Sequence, residues 1–151
     1  MAGFKGQAEY SIDDKGRVAL PAKMRRSLNP EAKDTFVATR GFEDCVFLYP
    51  LDRWEKMEEE FSALNTFQRE ARDFVRTILR WADEQTLDGQ GRITVPKNLL
   101  ELAKLKPKGQ ALIIGSLDHI EIWDPETFEA YLNQRPDDYE TTAERVMGGI
   151  G

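Results

Sequence analysis

Arg17 and Arg92 are the residues of this chain best suited to recognising a charged partner. Each follows a glycine directly, and each closes the same pattern, Asp-x-x-Gly-Arg, at 13–17 and 88–92. A guanidinium is permanently charged and presents a planar fork of donors. That fork pairs bidentately with phosphate oxygens or with the O6/N7 edge of guanine. Glycine accepts positive φ, and an aspartate opening a turn can take backbone N–H bonds two residues on. Gly16 and Gly91 therefore read as turn formers. Asp13 and Asp88 read as caps that hold the arginines, since phosphates repel carboxylates. Lys15 adds a flexible charge to the first turn, and Gln90 occupies that place in the second. An arginine in this position starts a strand and is expected to project beyond the sheet end. Duplicated arginines suit a duplicated ligand, and DNA is the leading candidate.

The motif belongs to a longer repeat. Residues 12–21 read Ile-Asp-Asp-Lys-Gly-Arg-Val-Ala-Leu-Pro, and residues 87–96 read Leu-Asp-Gly-Gln-Gly-Arg-Ile-Thr-Val-Pro, each position 75 from its counterpart. Residues 7–12 and 17–20 alternate apolar and polar, which predicts a β-hairpin around the first turn, and 84–87 with 92–95 predict a second. Pro21 and Pro96 open short helices through 28 and 105, because a first helical turn does not need the missing N–H. Strands are expected at 35–39 and 45–49, and again at 111–114 and 119–123. Helices are expected at 53–64 and 126–132. In this later part the best register is 74, matching Tyr49 to Trp123 and Trp54 to Phe128. A shift inside a strand would flip its faces, so the lost residue is expected in the 29–33/104–108 loop.

Between the copies, 66–82 shows apolar residues at helical spacing, with Arg69, Arg72, Arg76 and Arg80 on the other side as a solvated face. The domain reading is repeat 1 over 5–52, a helical linker over 53–82, repeat 2 over 83–128, and a helix end with a solvated acidic tail over 129–151. One such unit buries too little apolar surface alone. Two units with interleaved strands would share one core, an α+β fold.

Charge is unevenly spread. The chain of 151 residues has a net charge of −6, which argues against indiscriminate nucleic-acid binding. Between Asp13 and Arg26, however, five basic residues face two acidic ones, so Lys23 and Arg25 join Lys15 as candidate DNA contacts. From Asp118 onward there are nine acidic and two basic residues. No stretch approaches the ~18–20 apolar residues of a membrane span, and the N-terminus lacks an apolar signal region. Cys45 is the one cysteine and His119 the one histidine. Cys45 reads as core and His119 as a surface residue at a hairpin shoulder. Nothing forms a nucleophile triad, a metal cluster or a Lys-bearing phosphate loop. The expectation is a protein that is not an enzyme and needs no cofactor or metal. Trp54, Trp81 and Trp123 fall on apolar faces and read as core before base-stacking platforms.

On these residues the chain resembles the MraZ family. The matching stretches are Phe4-Lys5-Gly6, the whole of 12–21, Leu48-Tyr49-Pro50 with Trp54, and 88–92. The resemblance runs from about residue 3 to 133. It implies duplicated SpoVT/AbrB-like domains, a swapped-hairpin β-barrel core with flanking helices. It further implies a cytoplasmic, nucleoid-associated transcription regulator, mostly a repressor, at the promoter of the division and cell-wall gene cluster. Such proteins bind short direct repeats of promoter DNA as homo-oligomeric rings of about eight subunits, without a small-molecule substrate. By motif position the DNA-contacting arginines are Arg17 and Arg92, with Lys15 assisting. Gln90 departs from the basic side chain expected there. A competing expectation is a ring-forming protein-interaction scaffold with no DNA role, and a weaker one is a phosphate-handling enzyme.

Overall fold

The computed structural model describes residues 3–148. The first two residues and the last three of the expected acidic tail, 149–151, lie outside the described residues. The first copy contributes β1 (Gln7–Ser11), β2 (Arg17–Ala19), α1 (Ala22–Arg26), β3 (Thr35–Arg40), β4 (Val46–Pro50) and α2 (Leu51–Ser62). After α3 (Arg69–Arg80) the second contributes β5 (Asp83–Thr86), β6 (Arg92–Thr94), α4 (Lys97–Leu102), β7 (Gln110–Ser116), β8 (His119–Trp123) and α5 (Pro125–Asn133). A last helix, α6 (Tyr139–Gly148), follows. The mixed α+β class expected from the sequence is the class observed.

The strands of the two copies interleave. A six-stranded antiparallel sheet runs β1-β7-β8-β4-β3-β5, and β2 pairs with β6 in a separate two-stranded ribbon. Neither sheet closes on itself, so the barrel expected from the resemblance is not a closed one. The two expected hairpins around the Asp-x-x-Gly-Arg turns do not form either. β1 pairs with β7 of the other copy, β5 with β3, and β2 with β6. The turn itself closes, with Asp13 N–H on the Arg17 carbonyl at 3.1 Å and Asp88 N–H on that of Arg92 at 3.0 Å. It then carries the chain from the sheet into the ribbon rather than back along the same sheet. The physical reason is burial. Val18 and Ile93 gain a complete apolar environment only by pairing across the copies, where each is fully buried.

The order is palindromic, and so is the register. Tyr10 pairs with Ala111, and Gln85 with Phe36, each residue 75 from its image. Ile12 donates to the Gly109 carbonyl and Leu87 to that of Asp34, both at 2.8 Å, again at 75. Across the centre, Val46 faces Ile122 and Leu48 faces Ile120, an arrangement symmetric only at 74. The 29–33/104–108 loop therefore keeps the register. The missing residue lies in the turn between the paired strands, where Ser116 pairs directly with His119 through a two-residue loop, Leu117-Asp118. The corresponding turn of the first copy is longer and folds Gly41 N–H back onto the Cys45 carbonyl at 2.8 Å. A turn absorbs a deletion without flipping the faces of either strand.

Alternation along the central strands makes two cores. Phe36, Ala38, Val46, Leu48, Ile120 and Ile122 point toward the ribbon, α1 and α4, with Ile12, Val18, Leu20, Ile93, Val95 and Leu99. Val37, Phe47, Tyr49 and Trp123 point the other way, onto Trp54 and Met57 of α2, Ile78 of α3, and Phe128 and Tyr131 of α5. Cys45 is buried in this second core, as expected. Trp54 and Trp123 are also core, while Trp81 is half-buried and is flanked by the guanidiniums of Arg40 and Arg80. The linking helix is shorter than expected, and its apolar stripe is fully buried only at Ile78, with Ala71 and Val75 partly covered and Phe74 and Leu79 exposed. Its arginines are solvated, with Arg76 paired to Asp73 and Arg72 bound to the Thr66 and Phe67 carbonyls. The described part of the acidic tail is solvent-facing yet helical in α6, where Asp138 caps Thr141 N–H at 2.8 Å.

Candidate nucleic-acid interface

The ribbon brings the two motifs together. In the β2–β6 register Arg17 faces Thr94, Val18 faces Ile93, and Ala19 faces Arg92. Side chains alternate across a strand, so Val18 and Ile93 turn inward while Arg17, Ala19, Arg92 and Thr94 share the outer face. The arginines sit diagonally about an approximate two-fold axis through Val18 and Ile93. This corrects the expectation that they project beyond a sheet end.

Each arginine is tied to its own aspartate. The Asp13 Oδ1 accepts N–H bonds from Lys15 at 3.0 Å and from Arg17 at 2.8 Å, and its Oδ2 accepts the Arg17 Nε–H. Asp88 repeats this, with Gln90 and Arg92 N–H at 2.9 Å and the Arg92 Nε at 2.8 Å. The aspartates are thus turn formers and guanidinium clamps, the structuring role that the sequence suggests. The Arg17 backbone N–H foremost, with the guanidinium adding to it against some desolvation, holds the Asp13 carboxyl below the usual range. Asp88 is lowered the same way by Arg92. Arg92 Nη1 also lies 3.7 Å from Asp13 Oδ2, which links the two clamps across the axis.

The clamp uses the Nε edge, so among the described residues no hydrogen bond occupies the terminal Nη donors, although Arg92 Nη1 keeps its looser approach to Asp13. Both side chains remain partly open to solvent, 31% for Arg17 and 27% for Arg92. Gly16 and Gly91 carry φ of +79° and +73°, which a side chain rarely adopts. Lys15 and Gln90 are exposed at equivalent tips.

The short helices pack on the opposite copy. The Leu20 N–H bonds to the Gly91 carbonyl at 3.1 Å, and the Val95 N–H to that of Gly16 at 2.9 Å. Arg25 of α1 then lies over the second turn. Its Nε donates to the Leu20 carbonyl at 3.1 Å, and its guanidinium would meet a Cβ at Gly91 at 2.7 Å. The counterpart of Arg25, 75 residues on, is Leu100 of α4, which lies over Gly16 and is buried. Lys23 is exposed on the same helix as Arg25. The sequence names Lys15, Lys23 and Arg25 beside Arg17 and Arg92 as candidates, but it does not reveal that α1 packs on the second turn. The missed signal is the substitution pattern itself: an arginine in one copy where the other has a leucine.

His119 differs from its expected place on the surface. It is half-buried, with Nδ1 2.8 Å from Asp118 and Nε2 3.0 Å from Glu121, beneath the rings of Phe47 and Tyr49. Arg53 of α2 holds Asp118 at 3.1 Å, and Trp123 Nε1 donates to Glu121 at 2.9 Å. Among the described residues no group of His, Cys, Asp and Glu is arranged to hold a metal ion, and no helix is long and apolar enough to cross a membrane.

The family pattern described as "MraZ protein, putative antitoxin-like" matches this chain twice, over 4–77 and 78–148. The chain belongs to the MraZ family. Among similar MraZ proteins, the transcriptional regulator MraZ of Natranaerobius thermophilus is 40% identical over 144 residues, covering 95% of this chain and 96% of the relative. That of Halothermothrix orenii is 39% identical over 140 residues, covering 93% and 94%. That of Moorella thermoacetica is 38% identical over 144 residues, covering 95% and 96%. The boundary between the two MraZ matches falls inside α3, so each match takes one ribbon strand.

Proposed function

We propose that this chain is a transcriptional regulator that reads promoter DNA through the outer face of the β2–β6 ribbon. The observation that carries this reading is the pair Arg17 and Arg92, diagonal neighbours on one face of the ribbon, each clamped through Nε and partly open to solvent. A pre-oriented fork suits a bidentate contact to guanine in the major groove, which admits a two-stranded ribbon. The clamps neutralise the arginines toward distant phosphates, which favours reading of base edges over indiscriminate attraction. Lys15, Lys23 and Arg25 supply the phosphate contacts. The relatives' shared name, transcriptional regulator, supports the same role. In finer detail, the interleaved strands support a SpoVT/AbrB-like swapped-hairpin unit built from the two repeats with their helical linker. The resemblance supports repression at the division and cell-wall gene cluster, on short direct repeats, in the cytoplasm at the nucleoid, without catalysis.

Self-association is part of this reading. Phe42 and Phe67 are 73% and 94% exposed, and Phe74 and Leu79 of α3 are exposed as well. Exposed apolar surface of this kind marks an interface. A ring would gather several weakly charged ribbons on one rim and raise affinity without new contacts.

The test is binding of a labelled duplex carrying the DNA immediately upstream of this gene. Arg17→Ala and Arg92→Ala should each weaken binding at least tenfold, in line with about 1–3 kcal/mol per bidentate contact. Native affinity in both variants would remove the ribbon from the DNA interface. A wild-type protein that oligomerises but does not shift the duplex at micromolar concentration would instead favour a scaffold.

A further inference from the structure

Resting on that DNA reading, we propose that Arg25 serves the second turn rather than the first, and that it makes the two ends of each ribbon inequivalent, so that every subunit grips DNA with a fixed polarity.

The two turns carry the same charge balance by themselves. Asp13-Asp14-Lys15-Gly16-Arg17 is neutral, and so is Asp88-Gly89-Gln90-Gly91-Arg92. The helices that pack on them differ. The first turn receives α4, whose Lys97 and Glu101 cancel and whose Leu100 covers Gly16. Lys15, Lys97, Asp14 and Glu101 line one shallow hollow there, so cations and carboxylates are mixed. The second turn receives α1, which carries Lys23, Arg25 and Arg26 and no acid.

The crossing of the copies therefore moves the basic helix of copy one onto the copy whose turn lacks a lysine. Arg25 is held there, its Nε spent on the Leu20 carbonyl and its terminal donors unspent. None of the ion pairs among the described residues involves it. Only a glycine at 91 leaves room for the guanidinium to lie flat on the turn. Phosphate grip is thereby concentrated at the Gln90–Arg92 end, while the Lys15–Arg17 end is electrically balanced. A ribbon with one cationic end has no two-fold symmetry toward DNA, despite the symmetry of its backbone.

The experiment uses full-length protein, fluorescence anisotropy and a labelled duplex carrying the DNA upstream of this gene, at several salt concentrations. Arg25→Leu copies the residue that the other end already uses and should fold. Arg25→Gln serves as the second variant. Either should weaken binding about tenfold at 0.15 M salt and reduce the log–log salt slope by about 0.9, one phosphate contact. Gln90→Lys, which gives the second turn the lysine of the first, should restore most of the loss in Arg25→Leu. It should help Lys15→Gln no more than it helps wild type. An unchanged salt slope in both Arg25 variants overturns the assignment, as does equal rescue of the Arg25 and Lys15 variants. If Arg17→Ala and Arg92→Ala weaken binding while Arg25→Leu does not, this inference falls alone. If wild type itself does not bind, the DNA reading falls and takes the inference with it.

Discussion

Val18 stands directly opposite Ile93 in the ribbon, each is the other's counterpart 75 residues away, and neither exposes any surface. This self-paired position of the two copies is therefore also the floor beneath the two arginines. Ile93→Ala should lower the unfolding free energy by about 3 kcal/mol, the usual range for emptying a packed apolar site. Because the ribbon belongs to both copies, the loss should appear as one cooperative urea transition with an unchanged m-value. Two separate transitions, one per copy, would show that the core is not shared.

The two turn glycines should fail in different ways. Both hold positive φ, so alanine costs each roughly 1–2 kcal/mol of backbone strain. At Gly16 the new Cβ would also press on the Val95 carbonyl oxygen at 3.0 Å, which is backbone and cannot swing aside. At Gly91 it would press on the Arg25 guanidinium, the far end of a flexible side chain. Gly16→Ala should therefore give the larger drop in thermal midpoint, and Gly91→Ala the larger drop in DNA affinity relative to its stability loss. The reverse order would contradict the placement of Arg25.

Much of this was legible in the sequence, for local reasons. Turn chemistry at Asp13–Gly16 and the runs of β-formers at 35–39 and 45–49 are short-range signals, and those elements formed within a residue of where they are expected. The pairing partners were not legible, because the choice between a hairpin and an exchange depends on burial that only the assembled pair creates. Gln90 read as a weakened site for the same reason. Its compensating charge comes from Arg25, 65 positions earlier, and no local pattern connects them. His119 read as surface because a hairpin shoulder looks exposed, whereas Arg53 of α2, bonded to Asp118, and the rings of Phe47 and Tyr49 close over that side.

Asp13 should matter more for discrimination than for affinity. Asp13→Asn keeps an oxygen for the turn N–H groups but loses the ion pair with Arg17 and the neighbouring charge felt by Arg92. Removing one negative charge strengthens attraction to any duplex, while the loosened guanidinium reads its base edge less well. The ratio of operator to random-duplex affinity should fall roughly tenfold, about 1.4 kcal/mol, within the range for one bidentate contact. Titrations against both duplexes at one salt concentration give the ratio. A preserved ratio would mean that the clamp does not orient the arginine.

Stability should also depend on pH through His119. Burial lowers the affinity of this imidazole for a proton, but hydrogen bonds to Glu121 and Asp118 outweigh it and raise the pKa above its ordinary value. The same contacts hold Asp118 and Glu121 below theirs, against desolvation. A group whose folded pKa is raised stabilises fully below its unfolded pKa, and the contribution disappears as pH rises through the folded one. Glu43 and Arg53 complete the charged surroundings, Glu43 through its repulsion with Glu121 and Arg53 through its bond to Asp118. Urea midpoints of the wild type should therefore decline from about pH 6.5 upward, the ordinary histidine value. His119→Gln keeps hydrogen-bonding groups but no charge, and should flatten that decline. Glu121→Gln should reduce it while leaving the imidazole in place. A wild-type slope that persists unchanged in His119→Gln would assign the pH dependence to another group.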